Sequence, residues 1–123
     1  MRLLLDTHAL IWWDEGTGLH ADAHAAIRDA DMVYVSAVAG WEIAIKASLG
    51  RLKTRRSVSG AAVESGFDEL PVYLRHGEAL AKLPWHHRDP FDRMLAAQAL
   101  VEGLTLVTRD PVFRRYKVRV IDA

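Results

Sequence analysis

Four apolar runs, each too short to make a helix, constrain this chain most. They are "RLLL" at 2–5, "MVYV" at 32–35, "LTLV" at 104–107 and "VRVI" at 118–121. Runs of this length, leucine-rich or β-branched and bounded by polar residues, read as strands buried on both faces. Between them the spacing is helical. Residues 20–30, "HADAHAAIRDA", are alanine-rich and lack glycine and proline. Residues 37–48 begin a stripe of Trp41, Ile45 and Leu49 at spacing four. Residues 90–102 carry Phe91, Leu95 and Ala99 at the same spacing, with Met94 and Gln98 alongside, and Gly103 follows as a C-cap.

Strands alternating with helices predict an α/β domain around a mainly parallel sheet. The middle is less regular. "GRLKTRRSVSG" reads as a basic loop opening a helix over 58–66, and "YLRHGEALAKL", 73–83, as another short helix. No linker, repeat or low-complexity segment interrupts the chain. Its 123 residues are therefore read as one domain, 1–123.

The charge balance is even, with 16 basic and 16 acidic residues, so no overall field attracts nucleic acid. Any such binding must come from local patches. The absence of cysteine excludes disulfides and thiolate metal sites. The opening "MRLLLDTHALIWW" starts like a signal peptide, but Asp6 and His8 break the apolar run. No uncharged apolar stretch is long enough to span a bilayer. The expected location is the cytoplasm.

The carboxylates point to chemistry. Asp6 follows the first strand, and Asp110 follows the strand at 104–107. Ligands of open parallel sheets bind beyond the carboxyl ends of the strands. Asp89 and Asp92 open the helix that leads into the 104–107 strand, and Glu42 lies in the helix after "MVYV". Five acids are thus expected at one edge. Carboxylates at close range raise each other's pKa unless a cation neutralises them. An all-oxygen set suits Mg²⁺ or Mn²⁺, which can polarise a phosphodiester and activate a water.

Each acid also has a purely structural role open to it. Asp6 suits an N-cap. Asp89 followed by Pro90 is a helix-start signature, and Asp92 then sits where an acid favours the helix dipole. Glu42 can pair with Lys46 at spacing four. Asp110 can open the turn at Pro111. Only their shared placement argues for more.

With "LLLDTHALIWW", "VSAVAGWEIAIKASLGRL", "HRDPFDRMLAAQAL" and "LTLVTRD" in this order and spacing, the chain resembles the PIN domain family and, within it, VapC-type toxin ribonucleases. Residues 53–83 match no motif. The resemblance implies a three-layer α/β/α fold with a mainly parallel, roughly five-stranded central sheet. It implies an Mg²⁺- or Mn²⁺-dependent endoribonuclease, acting on RNA such as tRNA and leaving 5′-phosphate and 3′-hydroxyl ends. Carried over by position, the catalytic and metal-binding acids are Asp6, Glu42, Asp92 and Asp110. Asp89 becomes the cap and a supporting residue, and Thr7, Ser36 and Thr108 become supporting hydrogen-bonders. Ala39 and Gly40 stand where related sequences often carry a serine, so one supporting bond is missing. The resemblance further implies a homodimer and a VapB-type antitoxin as partner, assembled into a higher-order complex.

RNA contacts are expected from "RLKTRR" and "RRYKVR", through Arg51, Lys53, Arg55, Arg56, Arg114 and Arg115. Trp12, Trp13, Trp41 and Trp85 are read as core or dimer-interface residues in preference to base-stacking ones. His20 and His24 have zinc spacing but no third ligand, and so read as surface residues. His86 and His87 receive no role. Two other functions compete. A phosphatase using Asp6 usually carries a second aspartate where His8 stands, and a receiver domain wants a lysine where Arg109 stands. A catalytically silent interaction module would use the acids only as caps.

Overall fold

The computed structural model of the chain describes residues 1–86 and 88–123; His87 lies outside them. In chain order the elements are β1 (Arg2–Leu5), α1 (Thr7–Glu15), α2 (Ala21–Asp29), β2 (Met32–Ser36), α3 (Ala37–Ser48), α4 (Val58–Ser65), β3 (Asp68–Leu70), α5 (Leu74–Ala81), α6 (Pro90–Glu102), β4 (Thr105–Thr108), a 3₁₀ helix (Pro111–Tyr116) and β5 (Val120–Asp122).

The strands form one sheet in the order β3-β2-β1-β4-β5, and every neighbouring pair is parallel. Leu4 of β1 lies level with Tyr34 of β2 and Leu106 of β4. From β1 the chain builds outward to β2 and β3, then returns to add β4 and β5 on the other side. The sheet therefore reverses its winding between β1 and β4. At such a switch point the connections leave in opposite directions, and a crevice opens beyond the strand ends.

Helices cover both faces, which explains why Leu3, Leu4 and Leu5 are all fully buried. Leu3, Leu5, Val33, Val35 and Val107 pack with Ala9, Leu10, Ala23, Ile27 and Ile43 of the helices on one face. On the other, Leu4 and Leu106 pack with Leu95, Ala96 and Ala99 of α6 and with Phe113 and Tyr116 of the 3₁₀ helix. Successive residues of one strand feed opposite layers, as a pleated strand requires.

The expected strands are present within two residues of their predicted bounds. β3 was not anticipated. The stripe of Trp41, Ile45 and Leu49 is not the buried face of α3. Trp41 and Leu49 are exposed, and Val38, Ala39, Glu42 and Ile43 face inward. A charged residue displaces a tryptophan from the inner face, which apolar spacing alone does not foresee. Among the described residues no helix is long and apolar enough to cross a membrane.

Candidate functional site

Three acidic or hydroxyl caps meet at the carboxyl edge of the sheet because three strands end there and a helix starts straight after each. Asp6 follows β1 and caps α1, its Oδ1 accepting from the Ala9 N–H at 2.8 Å. Ser36 ends β2 and caps α3 by accepting from the Val38 N–H at 3.0 Å. Asp110 follows β4 and caps the 3₁₀ helix by accepting from the Val112 N–H at 3.0 Å. A fourth cap, Asp89, accepts from the N–H groups of Phe91 (2.8 Å) and Asp92 (3.3 Å) and opens α6 with Pro90 at its first position.

Asp6 and Asp110 are joined across the switch point. The Asp6 N–H donates to Val107 O at 3.1 Å, which seats it between β1 and β4. The fully buried Thr108 hydroxyl bonds the Asp6 carboxylate and accepts from the Asp110 N–H at 3.1 Å. Burial raises the Asp6 pKa above the ordinary aspartate value, and repulsion from Glu42 adds to this. The hydrogen bonds from Thr108 and Ala9 and the charge of His8 pull it the other way.

Glu42 is buried, and both of its oxygens are held. The Thr7 hydroxyl donates to Oε1 at 2.6 Å, and Lys46 Nζ donates to Oε2 at 2.7 Å. The Lys46 pKa is raised, first by this hydrogen bond and further by the charges of Glu42, Asp89 and Asp92, while partial burial opposes. Lys46 is therefore the ammonium set among three carboxylates. Asp6 and Glu42 repel each other, Glu42, Asp89 and Asp92 surround Lys46, and Asp110 reaches Asp6 through Thr108.

In donor chemistry this set fits a hard divalent cation, since it offers only oxygens, on rigid strand ends and helix starts. It does not hold three ligands at metal distance as it stands. Among the described residues no group of three histidine, aspartate or glutamate side chains is drawn close enough to share an ion. Lys46, bonded to Glu42 Oε2, contributes positive charge close to these acids.

Two buried polar residues of α6, not anticipated as functional, brace the site. Gln98 is fully buried: Oε1 accepts from the Ser36 hydroxyl at 2.6 Å, and Nε2 donates to Pro71 O at 3.2 Å. Arg93, next to Asp92, is 3% exposed and donates to the carbonyls of Pro84 (2.9 Å), Leu80 (3.2 Å) and Leu83 (3.4 Å). It ties the 80–85 segment to the start of α6. The only hint in the sequence is their position inside an otherwise apolar helical run.

The basic residues expected to meet RNA divide. Arg55 and Arg56 pair with Asp14, and Arg56 also with Glu64, which fastens the 50–57 segment to α1 and α4. Arg114 pairs with Asp122 at 3.2 Å. Arg51, Lys53 and Arg115 are exposed. The tryptophans divide as well. Trp12 and Trp13 are half-buried against the core, whereas Trp41 and Trp85 are 60% and 78% exposed. His20 is exposed at the start of α2, and His24 stacks near Trp13 with ring centroids 4.9 Å apart.

Comparison with known proteins agrees with this arrangement. The chain is 30% identical to Ribonuclease VapC22 of Mycobacterium tuberculosis over 124 aligned positions, covering 94% of this chain and 92% of that protein. Its fold matches the crystal structure of VapBC2 from Rickettsia felis bound to a promoter DNA fragment, with a TM-score of 0.71, 15% identity and 98% of each chain covered. It matches DNA-bound VapBC from Salmonella typhimurium equally well, at TM-score 0.71 and 19% identity, covering 99% of this chain and 98% of that one. The PIN domain profile spans residues 3–119, from within the first strand to the residue before the last strand, and with the VapC22 similarity this establishes that the chain belongs to the PIN domain family, in its VapC branch.

Proposed function

We propose that this protein is an Mg²⁺- or Mn²⁺-dependent endoribonuclease and the toxin of a toxin–antitoxin pair, with tRNA as substrate. One observation carries the reading. Asp6, Glu42, Asp89, Asp92 and Asp110, all buried or half-buried, are carried by elements that meet at the carboxyl edge of the sheet, and the Lys46 ammonium feels the charge of three of them. Holding a carboxylate buried there costs stability: burial raises the pKa of Asp6, and repulsion from Glu42 adds a smaller share, so a fold built only for stability has no use for it.

In this reading Asp6, Glu42, Asp92 and Asp110 hold the ion, directly or through water. Such an ion supplies Lewis acidity toward a phosphodiester and lowers the pKa of a bound water. The chain's own residues prepare the rest. Thr7 orients Glu42, Thr108 orients Asp6 and fixes the backbone of Asp110, and Ser36, clamped by Gln98, fixes the start of α3. Supporting partners of this kind hold ligands in register. Lys46 holds Glu42 Oε2 where an ion competes for it.

The VapB-type antitoxin is supported by the Rickettsia and Salmonella neighbours, both VapBC assemblies. Two surfaces suit a protein partner. A groove of about 410 Å³ runs beside Ser36, lined by Gly40, Ile43, Thr54, Val58 and Glu69. Val72, Tyr73 and Leu74 form an exposed apolar patch at the start of α5, suited to a second copy in a homodimer.

The test is cleavage of a total tRNA pool by purified protein with Mg²⁺, with Mn²⁺ and with chelator, beside an Asp92→Asn variant prepared identically. Metal-dependent cutting that the variant lacks supports the reading. Cutting by both alike removes Asp92 from the chemistry. Absence of cutting, together with equal metal affinity of the two proteins by calorimetry, returns the silent interaction module.

A further inference from the structure

Two tryptophans stand in solvent, and each contacts a sequence neighbour of Asp92. The Trp41 ring meets Phe91 edge-on, with centroids 5.0 Å apart at 78°. The Trp85 ring lies over the Arg93 guanidinium, 4.0 Å from its carbon, and that guanidinium is pinned by three backbone carbonyls. Phe91, Asp92 and Arg93 are consecutive in the first turn of α6, so their side chains leave the helix about 100° apart. Asp92 projects between the two residues that seat the rings. Trp41 is also the residue beside Glu42 in α3.

Burying a tryptophan is worth more than almost any other apolar burial, and neither ring is used that way. Each has a ring contact that orients it and leaves most of its surface open. A ring fixed in this way loses little conformational freedom when a planar group stacks on it. Lys46, bonded to Glu42, and Arg88, exposed three residues after Trp85, add positive charge for a phosphate backbone. The exposed apolar patch at Val72, Tyr73 and Leu74 belongs to a different element and supplies a protein-binding surface without these rings.

Resting on the ribonuclease reading, we infer that Trp41 and Trp85 form a paired stacking platform on which two unpaired RNA bases lie, one on each side of Asp92. The strand between them then crosses the carboxylates with its phosphates exposed to the site. Paired bases present only edges, so the platform excludes a continuous duplex and selects loops, bulges or single strands. Stacking is indifferent to base identity, so these residues set the structure of the cut site and leave its sequence to other contacts.

The experiment compares Trp41→Ala, Trp85→Ala and the two Trp→Phe variants with the parent protein in Mg²⁺. It follows cleavage of an unstructured oligoribonucleotide and of the same sequence annealed to its complement, with melting temperature measured alongside. Each alanine variant is expected to raise KM for the single strand roughly tenfold with kcat little changed, as loss of one stacked base predicts. Each phenylalanine variant recovers most of this, and the melting temperature stays near that of the parent. The duplex is cut poorly by all. An unchanged KM in both alanine variants, with the parent active, overturns the platform and leaves the ribonuclease reading standing. So does an unchanged KM with weakened self-association in sedimentation, which assigns the rings to a protein interface. A parent that cuts neither these RNAs nor the tRNA pool overturns both.

Discussion

The Thr7 hydroxyl donates to Glu42 Oε1 at 2.6 Å, joining the first turn of α1 to a carboxylate buried in α3. A buried carboxylate oxygen that loses its donor pays the desolvation it had been spared, about 1–3 kcal/mol. Thr7→Val keeps the shape and removes the donor. It should lower the melting temperature by several degrees and reduce RNA cleavage, while Thr7→Ser retains both. Thermal unfolding and cleavage rates check this together. A valine variant as stable as the parent would mean that the hydrogen bond contributes nothing net.

Asp6 gives a prediction with a definite sign in pH. Its folded pKa is raised above the ordinary 3.8, mainly by burial. A carboxyl so shifted favours the fold while protonated. Its contribution is full below the ordinary value and is lost as pH rises through the folded one. Asp6→Asn keeps the cap on Ala9, since asparagine caps as well as aspartate. In chelator, the variant should be more stable than the parent at neutral pH, and the difference should close in acid near pH 4. Its cleavage should fall by more than the roughly 10–100-fold that loss of a supporting partner costs. Urea midpoints across pH decide it, and a variant less stable at pH 7 refutes the sign.

Lys46 is the one ammonium set among Glu42, Asp89 and Asp92 in the described structure. Removing one partner of a buried charge leaves the other uncompensated, which is strongly destabilising. Lys46→Met should therefore lower metal-free stability. It should also bind Mg²⁺ more tightly than the parent, because no ammonium competes for Glu42 Oε2. Melting curves with and without millimolar Mg²⁺ measure both effects. Equal Mg²⁺ stabilisation of variant and parent argues that Lys46 and the ion do not share a place.

What the sequence conveyed and what it hid follow from the same physics. Strands β1, β2, β4 and β5 are apolar runs because both faces of the sheet are covered, and burial writes itself into composition. β3 escapes notice because Asp68–Leu70 is short and mostly acidic, with only Leu70 buried. It is a strand by virtue of pairing with β2, not by its own preference. Asp6, Asp89, Asp92 and Asp110 stand out in the sequence because each follows a strand or opens a helix, and Glu42 because it lies in the helix that follows β2. The Lys46 bond to Glu42 shows only as a spacing of four, and its reach toward Asp89 and Asp92 is set by folding. Arg93 and Gln98 were illegible for a related reason. Their partners are backbone carbonyls and a hydroxyl brought close only by folding, and no spacing rule encodes those. The tryptophans divide by location alone: Trp12 and Trp13 sit on the helix packed beneath the sheet edge, Trp41 and Trp85 on its outer approaches.

The two aspartates that open α6 separate structure from chemistry within one turn. Asp89 bonds the N–H groups of Phe91 and Asp92, and with Pro90 behind it that work is a cap. Serine caps nearly as well, so Asp89→Ser should change stability by less than 1 kcal/mol or so and leave most cleavage intact, whereas Asp89→Ala should cost about 1 kcal/mol. Asp92 lies inside the first turn, where replacement by asparagine forfeits only a favourable dipole contact of about 0.3–1 kcal/mol. Asp92→Asn should thus fold nearly as well as the parent and yet lose cleavage and tight metal binding. The informative quantity is the ratio between the two readouts. Stability falls more in Asp89→Ala, and activity falls more in Asp92→Asn. If instead the activity of both variants tracked their stability, the site would have to be sought away from this helix, and the capping geometry would be the whole reason for both carboxylates.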